Sequence, residues 1–314
     1  MTGGVLIVGD ANVDLILRGD IVPRFGQEEQ LLDDASLVLG GSAGIVASGL
    51  ARLGVHTSLL AVIGDDDFGR FTASALRSAG VRTGLVAVDR DQPTGISVHL
   101  SAPSDRAILT LPGTIPLLRG ADVREAVHRL NPTHTHFASY FLQPELAGDL
   151  PDLLAWLRNR GITTSLDTNW DPQSRWEGLD QVLPHLDYLL PNLEELRAIA
   201  TAVSGREPDD DESAAATIAH FGPRVVVKAG ASGGWSLGDD EEIVRMPGLT
   251  VDVVDTTGAG DSFDAGYLAA HAEDIRDEEQ RLQWATTAGT LSTLGRGGTA
   301  AQPTRDELMG AILP

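Results

Sequence analysis

Short apolar runs recur along this chain, and most end at a polar or glycine-containing turn. Val5 to Val8 (VLIV) runs into Gly9 and Asp10, the pattern of a strand buried on both faces of a parallel sheet. The same signature returns at Ser58 to Ile63, His134 to Ala138, Ile162 to Leu166, Leu186 to Leu190 and Val225 to Lys228. Between these runs lie helical patterns: small residues from Gly41 to Gly54, a stretch with Phe68, Phe71 and Leu76 at helical spacing, then 122–130, 150–160 and 213–221. Strands alternating with helices predict an α/β fold with a mainly parallel sheet and helices on both faces.

Two stretches break the alternation. Residues 15–38 read as short strands around a turn from Pro23 to Gln27, and 94–111 as two strands, TGISVHL and RAILTL, joined by an SAPSD turn. Two strand pairs on the ligand side of a parallel sheet predict a small β-sheet lid. A lid suits a phosphoryl transferase, where water would otherwise compete as acceptor.

Composition narrows the function. With 314 residues the chain buries a sizeable core, and a net charge of −22 argues against binding a nucleic-acid backbone. There is no cysteine, hence no disulfide, thiol nucleophile or thiolate metal site. No apolar run approaches the roughly 20 residues that span a bilayer, and the start reads as a first strand rather than a signal peptide. The expectation is a cytoplasmic protein with small-molecule partners and no nucleic-acid or membrane partner. The acidic run Glu207 to Glu212 reads as a solvated loop, and His134 and His136 as core histidines.

Candidate chemistry concentrates in DTTGAGDSF, Asp255 to Phe263. A glycine turn that opens a helix presents unpaired N–H groups and the positive end of the dipole to an anion. Asp261 is out of place for a plain anion site; its carboxylate suits holding a hydroxyl and taking its proton. By itself it also reads as an ordinary first-turn acid. Asn12 and Asp14 lie beyond the carboxyl end of the first strand, where α/β sheets bind ligands, though turn chemistry accounts for them equally. Gly40 and Gly41 permit either close approach to a ligand or tight helix packing. Lys228, the one lysine, either touches a phosphate or ribose or simply ends a strand.

Taken in order, GDANVD, GGSAGIVASGLARLG (40–54), IGDDDFG, TGISVHL, RAILTL, DTN (167–169), PNLEE (191–195), VVVKAGASG (225–233) and DTTGAGDSF resemble the ribokinase or PfkB-type carbohydrate kinases over essentially the full length. The resemblance implies a single domain over 1–314, a ribokinase-like three-layer sandwich with a small lid at about 15–38 and 94–111. It implies transfer of the γ-phosphate of ATP to a sugar hydroxyl, with Asp261 as base and an anion hole at Thr257, Gly258, Ala259 and Gly260. It places Asp14, Gly40 and Gly41 at the sugar, with Asn12 in support. Asn192 and Glu195 would organise Mg²⁺ and its waters, and Lys228, Gly230 and Gly233 would approach the nucleotide, with helix 278–293 beside the adenine. No G-x-x-x-x-G-K-[ST] loop is present, so backbone amides take that role.

Ile45 departs from the family pattern, standing where many sugar kinases have an asparagine that bonds a substrate hydroxyl. An apolar acceptor site would suit a nucleoside kinase of the same fold, the alternative reading; a catalytically silent ligand sensor is a third, against which Asp261, Asn192 and Glu195 speak. Glu145 and Arg106 are further candidate substrate contacts. The resemblance also leaves open a K⁺ ion near Asp255 and Gly295 to Thr299, and a homodimer formed through the lid.

Overall fold

A computed structural model describes residues 3–27, 29–101, 106–238 and 242–312. Residues 102–105, most of the SAPSD turn, lie outside the described residues, as does the side chain of Arg106. Among the described residues no helix is long and apolar enough to cross a membrane.

The chain opens with β1 (Val5–Val8), β2 (Asn12–Gly19), β3 (Leu32–Gly40), α1 (Ser42–Arg52), β4 (Thr57–Gly64), α2 (Asp67–Ser78) and β5 (Arg82–Asp89). Next come β6 (Ile96–Ser101), β7 (Arg106–Leu111), α3 (Gly120–Leu130), β8 (His134–Ala138), α4 (Pro144–Arg158), β9 (Thr163–Asp167) and α5 (Leu179–Val182). It continues through β10 (Tyr188–Leu189), α6 (Leu193–Ser204), α7 (Asp211–Ala219), β11 (Arg224–Lys228), β12 (Gly234–Leu237) and β13 (Ile243–Met246), and closes with α8 (Ala259–Ala272), α9 (Glu278–Ser292) and α10 (Arg305–Ile312).

Nine strands form the main sheet in the order β13-β12-β11-β10-β9-β8-β1-β4-β5. It is parallel from β5 to β11, and β12 and β13 extend it antiparallel. The apolar run of β1 is explained by its place in the middle: Leu6 and Val8 join the core beneath α3 to α7, while Val5 and Ile7 join the core beneath α1, α8 and α9. Alternating side chains of one strand thus feed two cores, and no polar face is left.

The two interruptions assemble into one second sheet, ordered β3-β2-β6-β7. In β2 the residues Asp14, Ile16 and Arg18 share one face, and Leu15 and Leu17 the other. Helix α4 starts at Pro144, six residues before the apolar periodicity suggests. Proline is favoured in a first turn, and the internal Pro151 obscures the pattern there. The antiparallel edge β12–β13 and the strand β5 were not legible from the alternation; β5 is an edge strand with no continuous apolar run.

Candidate active site

Helix α8 is entered through Gly258, whose φ of 71° is a left-handed conformation, and a Cβ there would stand 2.5 Å from Gly298 Cα. Only glycine suits the position. The amides of the turn divide into two sets. Thr257 N–H donates to Asp255 Oδ1 (3.0 Å) and Ala259 N–H to the Thr256 carbonyl (3.2 Å). The N–H groups of Gly258, Gly260 and Asp261 have no acceptor among the described residues. Of the amides at 257–260, those of Thr257 and Ala259 hold the turn together, and the open donors are at 258, 260 and 261.

Asp261 stands in the first turn of α8 with Oδ1 accepting from Ser42 Oγ at 2.5 Å. Burial, followed by the charge of Asp167, pushes its carboxyl up to about 7, with the Ser42 hydrogen bond and Lys228 working the other way. Ser42 begins α1, whose first amides are capped by Asp10: Oδ2 accepts from Ser42 N–H (3.2 Å) and Oδ1 from Ala43 N–H (3.0 Å). Burial raises the Asp10 carboxyl despite these donors.

Beneath the turn lies a buried charge cluster. Lys228 Nζ is 2.6 Å from Asp167 Oδ2 and 3.4 Å from Asp264 Oδ2, and its Cδ is 3.4 Å from where a Cβ on Gly260 would sit. Lys228 is therefore neither an idle strand end nor a free arm, but the cation that balances two carboxylates below the anion turn. Burial alone would lower its ammonium, yet Asp167, Asp264 and Glu195 hold it well above the ordinary lysine range. Burial drives the Asp264 carboxyl well up, with Lys228 pulling the other way. Asp167 itself, although buried, is held low by Lys228.

Asn192 and Glu195 form a capping box at the start of α6. Asn192 Oδ1 accepts from the N–H groups of Glu194 and Glu195, both at 2.9 Å, and Glu195 Oε2 accepts from Asn192 N–H at 2.9 Å. A backbone bridge from Asn192 to Lys228 brings this box beside the cluster. Burial and then the Asp167 charge push the Glu195 carboxyl up to about 7. Among the described residues no three His, Cys, Asp or Glu side chains are arranged to cage a metal directly.

On the opposite side, Gly40 approaches Asp14 so closely that a Cβ would stand 2.1 Å from its Oδ1, and Gly41 lies against Asn12. Asn12 Nδ2 donates to Asp14 Oδ1 (3.3 Å), and His99 Nε2 lies 3.4 Å from Asp14 Oδ2. Asn12, Asp14, Gly40 and Gly41 thus come together, with His99 of β6 beside them. Ile45 does not join them in the open: it is 4% exposed, and its Cδ1 is 2.6 Å from where a Cβ on Gly298 would be. It is a spacer between α1 and the loop behind the anion turn.

The remaining candidates lie further out. Glu145 is exposed in the first turn of α4. Gly230 and Gly233 bound a tight turn between β11 and β12. A Cβ on Gly233 would collide with Met246 O at 2.2 Å, whereas one on Gly230 would meet nothing, so only Gly230 presents an open face. His134 and His136 are buried against Ser165 and Thr163 hydroxyls, as core histidines should be.

Sequence reasoning missed Ser42, Asp10, His99 and Asp264. For Asp264 a signal existed, since it follows Asp261 by three residues and so shares its helix face. The other three are assembled by tertiary contacts that local pattern does not carry.

The family model described as pfkB family carbohydrate kinase matches residues 3–305. The chain belongs to this family. Among curated proteins, this pfkB-family kinase is 30% identical over 305 residues to the ATP-dependent ribose-1-phosphate kinase of Halopiger xanaduensis, covering 96% of this chain and 95% of that one. It is 26% identical to the ribokinase of Bacillus subtilis over 97% of both. Among solved structures, the Arabidopsis thaliana ribokinase complexed with ribose and ATP superposes with a TM-score of 0.85 at 24% identity over the whole of both chains, a likeness of fold. The pfkB-family kinase is accordingly a phosphotransferase acting on a hydroxyl group.

Proposed function

We propose that this kinase transfers the γ-phosphoryl group of ATP to a hydroxyl of a sugar or sugar derivative, with Asp261 as general base. The observation that carries the reading is the pairing at α8: a carboxylate already holding a hydroxyl, beside the open amides of Gly258 and Gly260. An acceptor hydroxyl taking the place of Ser42 Oγ would lie next to donors suited to the oxygens of the transferring group. Asp14, backed by Asn12 and His99, would hold a second hydroxyl and fix the acceptor's orientation. The turn at Gly230 and the side of α9 that faces it would border the nucleotide; Thr290 Oγ1 of α9 is 3.3 Å from where a Cβ on Gly248 would sit, beside the Ala231 carbonyl.

The donor set fits a hydrated magnesium ion. Asp167 and Asp264 are held by Lys228, Glu195 lies beside them through the Asn192–Lys228 bridge, and Mg²⁺ commonly takes one or two carboxylates while keeping several waters. Glu195, with Asn192 holding it through the capping box, would receive those waters. When bound, the ion would offset the charge of the phosphates.

A potassium ion at Asp255 has less support, because that carboxylate already takes a guanidinium and three other donors. The nucleoside alternative has less support, since the Ile45 side chain lies in a packing contact with Gly298. A homodimer through the lid is supported by the apolar outer face of the small sheet, where Leu15, Leu17, Leu37, Leu100, Leu109 and Leu111 align. Its solution mass should be that of two chains, and a monomer mass would reject it. The cytoplasm is the compartment we propose, on the absence of cysteine and the composition.

The test of function is a panel of neutral sugars, sugar phosphates, sugar acids and nucleosides scored by acceptor-dependent ADP release. Preference for a sugar or sugar phosphate supports the reading, preference for a nucleoside overturns it, and ligand binding without phosphorylated product would favour the silent sensor.

A further inference from the structure

The small sheet and the anion turn are joined at one buried carboxylate. Arg18 lies on the face of β2 that also carries Asp14, and its Nη2 donates to Asp255 Oδ2 at 2.6 Å across 237 residues of sequence. The same Oδ2 accepts from Gly297 N–H at 3.0 Å, and Oδ1 accepts from Thr257 N–H and Oγ1 at 3.0 and 2.8 Å. Asp255 is 9% exposed at its side chain. Burial works to raise its carboxyl, but these donors and the Arg18 charge outweigh burial and hold it below the ordinary range.

The surrounding contacts tie the same elements together. A Cβ on Gly297 would stand 3.0 Å from Val38 of β3, and Gly298 backs directly onto Gly258. The cross-strand partner of Arg18, Asp34, forms a looser ion pair with Nη1 at 3.5 Å, and Nη1 is buried without a hydrogen bond. The short hydrogen bond of the guanidinium is the one to Asp255.

We propose that Arg18 is a positioning residue: it latches β2 to the Asp255–Thr257 turn and so sets the open amides of Gly258 and Gly260 for phosphoryl transfer. Because Asp14 is on the same strand, the latch also fixes the strand that would hold the acceptor. The inference rests on the kinase reading above, and it asks for a charge-assisted donor at the reach of Nη2, which a lysine ammonium supplies only in part.

The variants Arg18→Ala and Arg18→Lys test it by two readouts. In steady-state kinetics Arg18→Ala should lower kcat on the order of ten- to a hundred-fold, less than deletion of a direct oxyanion donor, while the KM for ATP moves less than about threefold. Added guanidinium ion at a non-denaturing level should restore part of that loss, and Arg18→Lys should fall between wild type and Arg18→Ala. In amide exchange, residues 255–260 should exchange faster in Arg18→Ala, with strand 224–228 unchanged. A kcat within about twofold of wild type would overturn the proposal. So would unchanged exchange at 255–260, or faster exchange at both segments with no rescue by guanidinium, the mark of general destabilisation. If no acceptor on the panel is phosphorylated, the kinase reading fails while the exchange measurement still decides the latch.

Discussion

Ser42 Oγ lies 2.5 Å from Asp261 Oδ1, although 219 residues separate the two in sequence. The first turns of α1 and α8 meet at this contact, one following the Gly40–Gly41 pair that packs on Asp14 and Asn12 and the other carrying the open amides. A serine hydroxyl on the candidate base occupies the place an acceptor hydroxyl would take.

Removing that hydroxyl should alter when the base ionises. The Ser42 hydrogen bond lowers an Asp261 carboxyl that burial has raised to about 7. In Ser42→Ala the ionised form loses a donor, so the acidic limb of the kcat/KM profile should move to higher pH. A profile superimposable on wild type would show that the contact does not tune the base.

Asp261 should also cost stability when ionised. Its folded pKa, near 7, lies above the unfolded value of about 4, so between these values the folded state binds the extra proton and stability falls as pH rises. Asp261→Asn removes this loss. The melting temperature of the variant relative to wild type should therefore be higher at about pH 8.5 than at about pH 4, with the gain developing between roughly pH 4 and 7. An equal difference at both ends would contradict the raised pKa.

The charge cluster gives a prediction of opposite sense. Lys228→Ala leaves Asp167 and Asp264 buried without their cation, a loss of about 3–5 kcal/mol by comparison with other broken buried pairs. Denaturant titration near neutral pH measures it. A change below about 1 kcal/mol would mean that the acids take up protons or water at little cost.

Much of the architecture was readable because periodicity and burial coincide. The run Val5 to Val8 feeds both cores, and the breaks at 15–38 and 94–111 correspond to strands of a second sheet. Asn192 with Glu195 was legible as a short motif whose members touch, whereas Asp14 and Gly40 belong to separate motifs that only the family resemblance brought together. The contacts of Ser42, Arg18 and Lys228 were not, because each joins elements tens to hundreds of residues apart. Ile45 shows the converse limit: the motif identifies an unusual residue, but only packing shows that it faces Gly298.

That packing makes Ile45→Asn a poor route to a new substrate contact. An amide placed in this 4% exposed position meets the Gly298 backbone region, and its burial without partners should destabilise the fold by roughly 1–3 kcal/mol. Thermal denaturation measures the cost, and acceptor preference should not change. A variant of wild-type stability with altered acceptor preference would place Ile45 in the substrate pocket instead.

The most direct measurement of the central claim is turnover of Asp261→Asn with the preferred acceptor at saturating ATP, alongside ATP affinity in the same preparation. Loss of an acid–base group should lower kcat by about 10²–10⁴-fold while ATP binding persists. A variant with near-normal kcat would show that Asp261 is not the base.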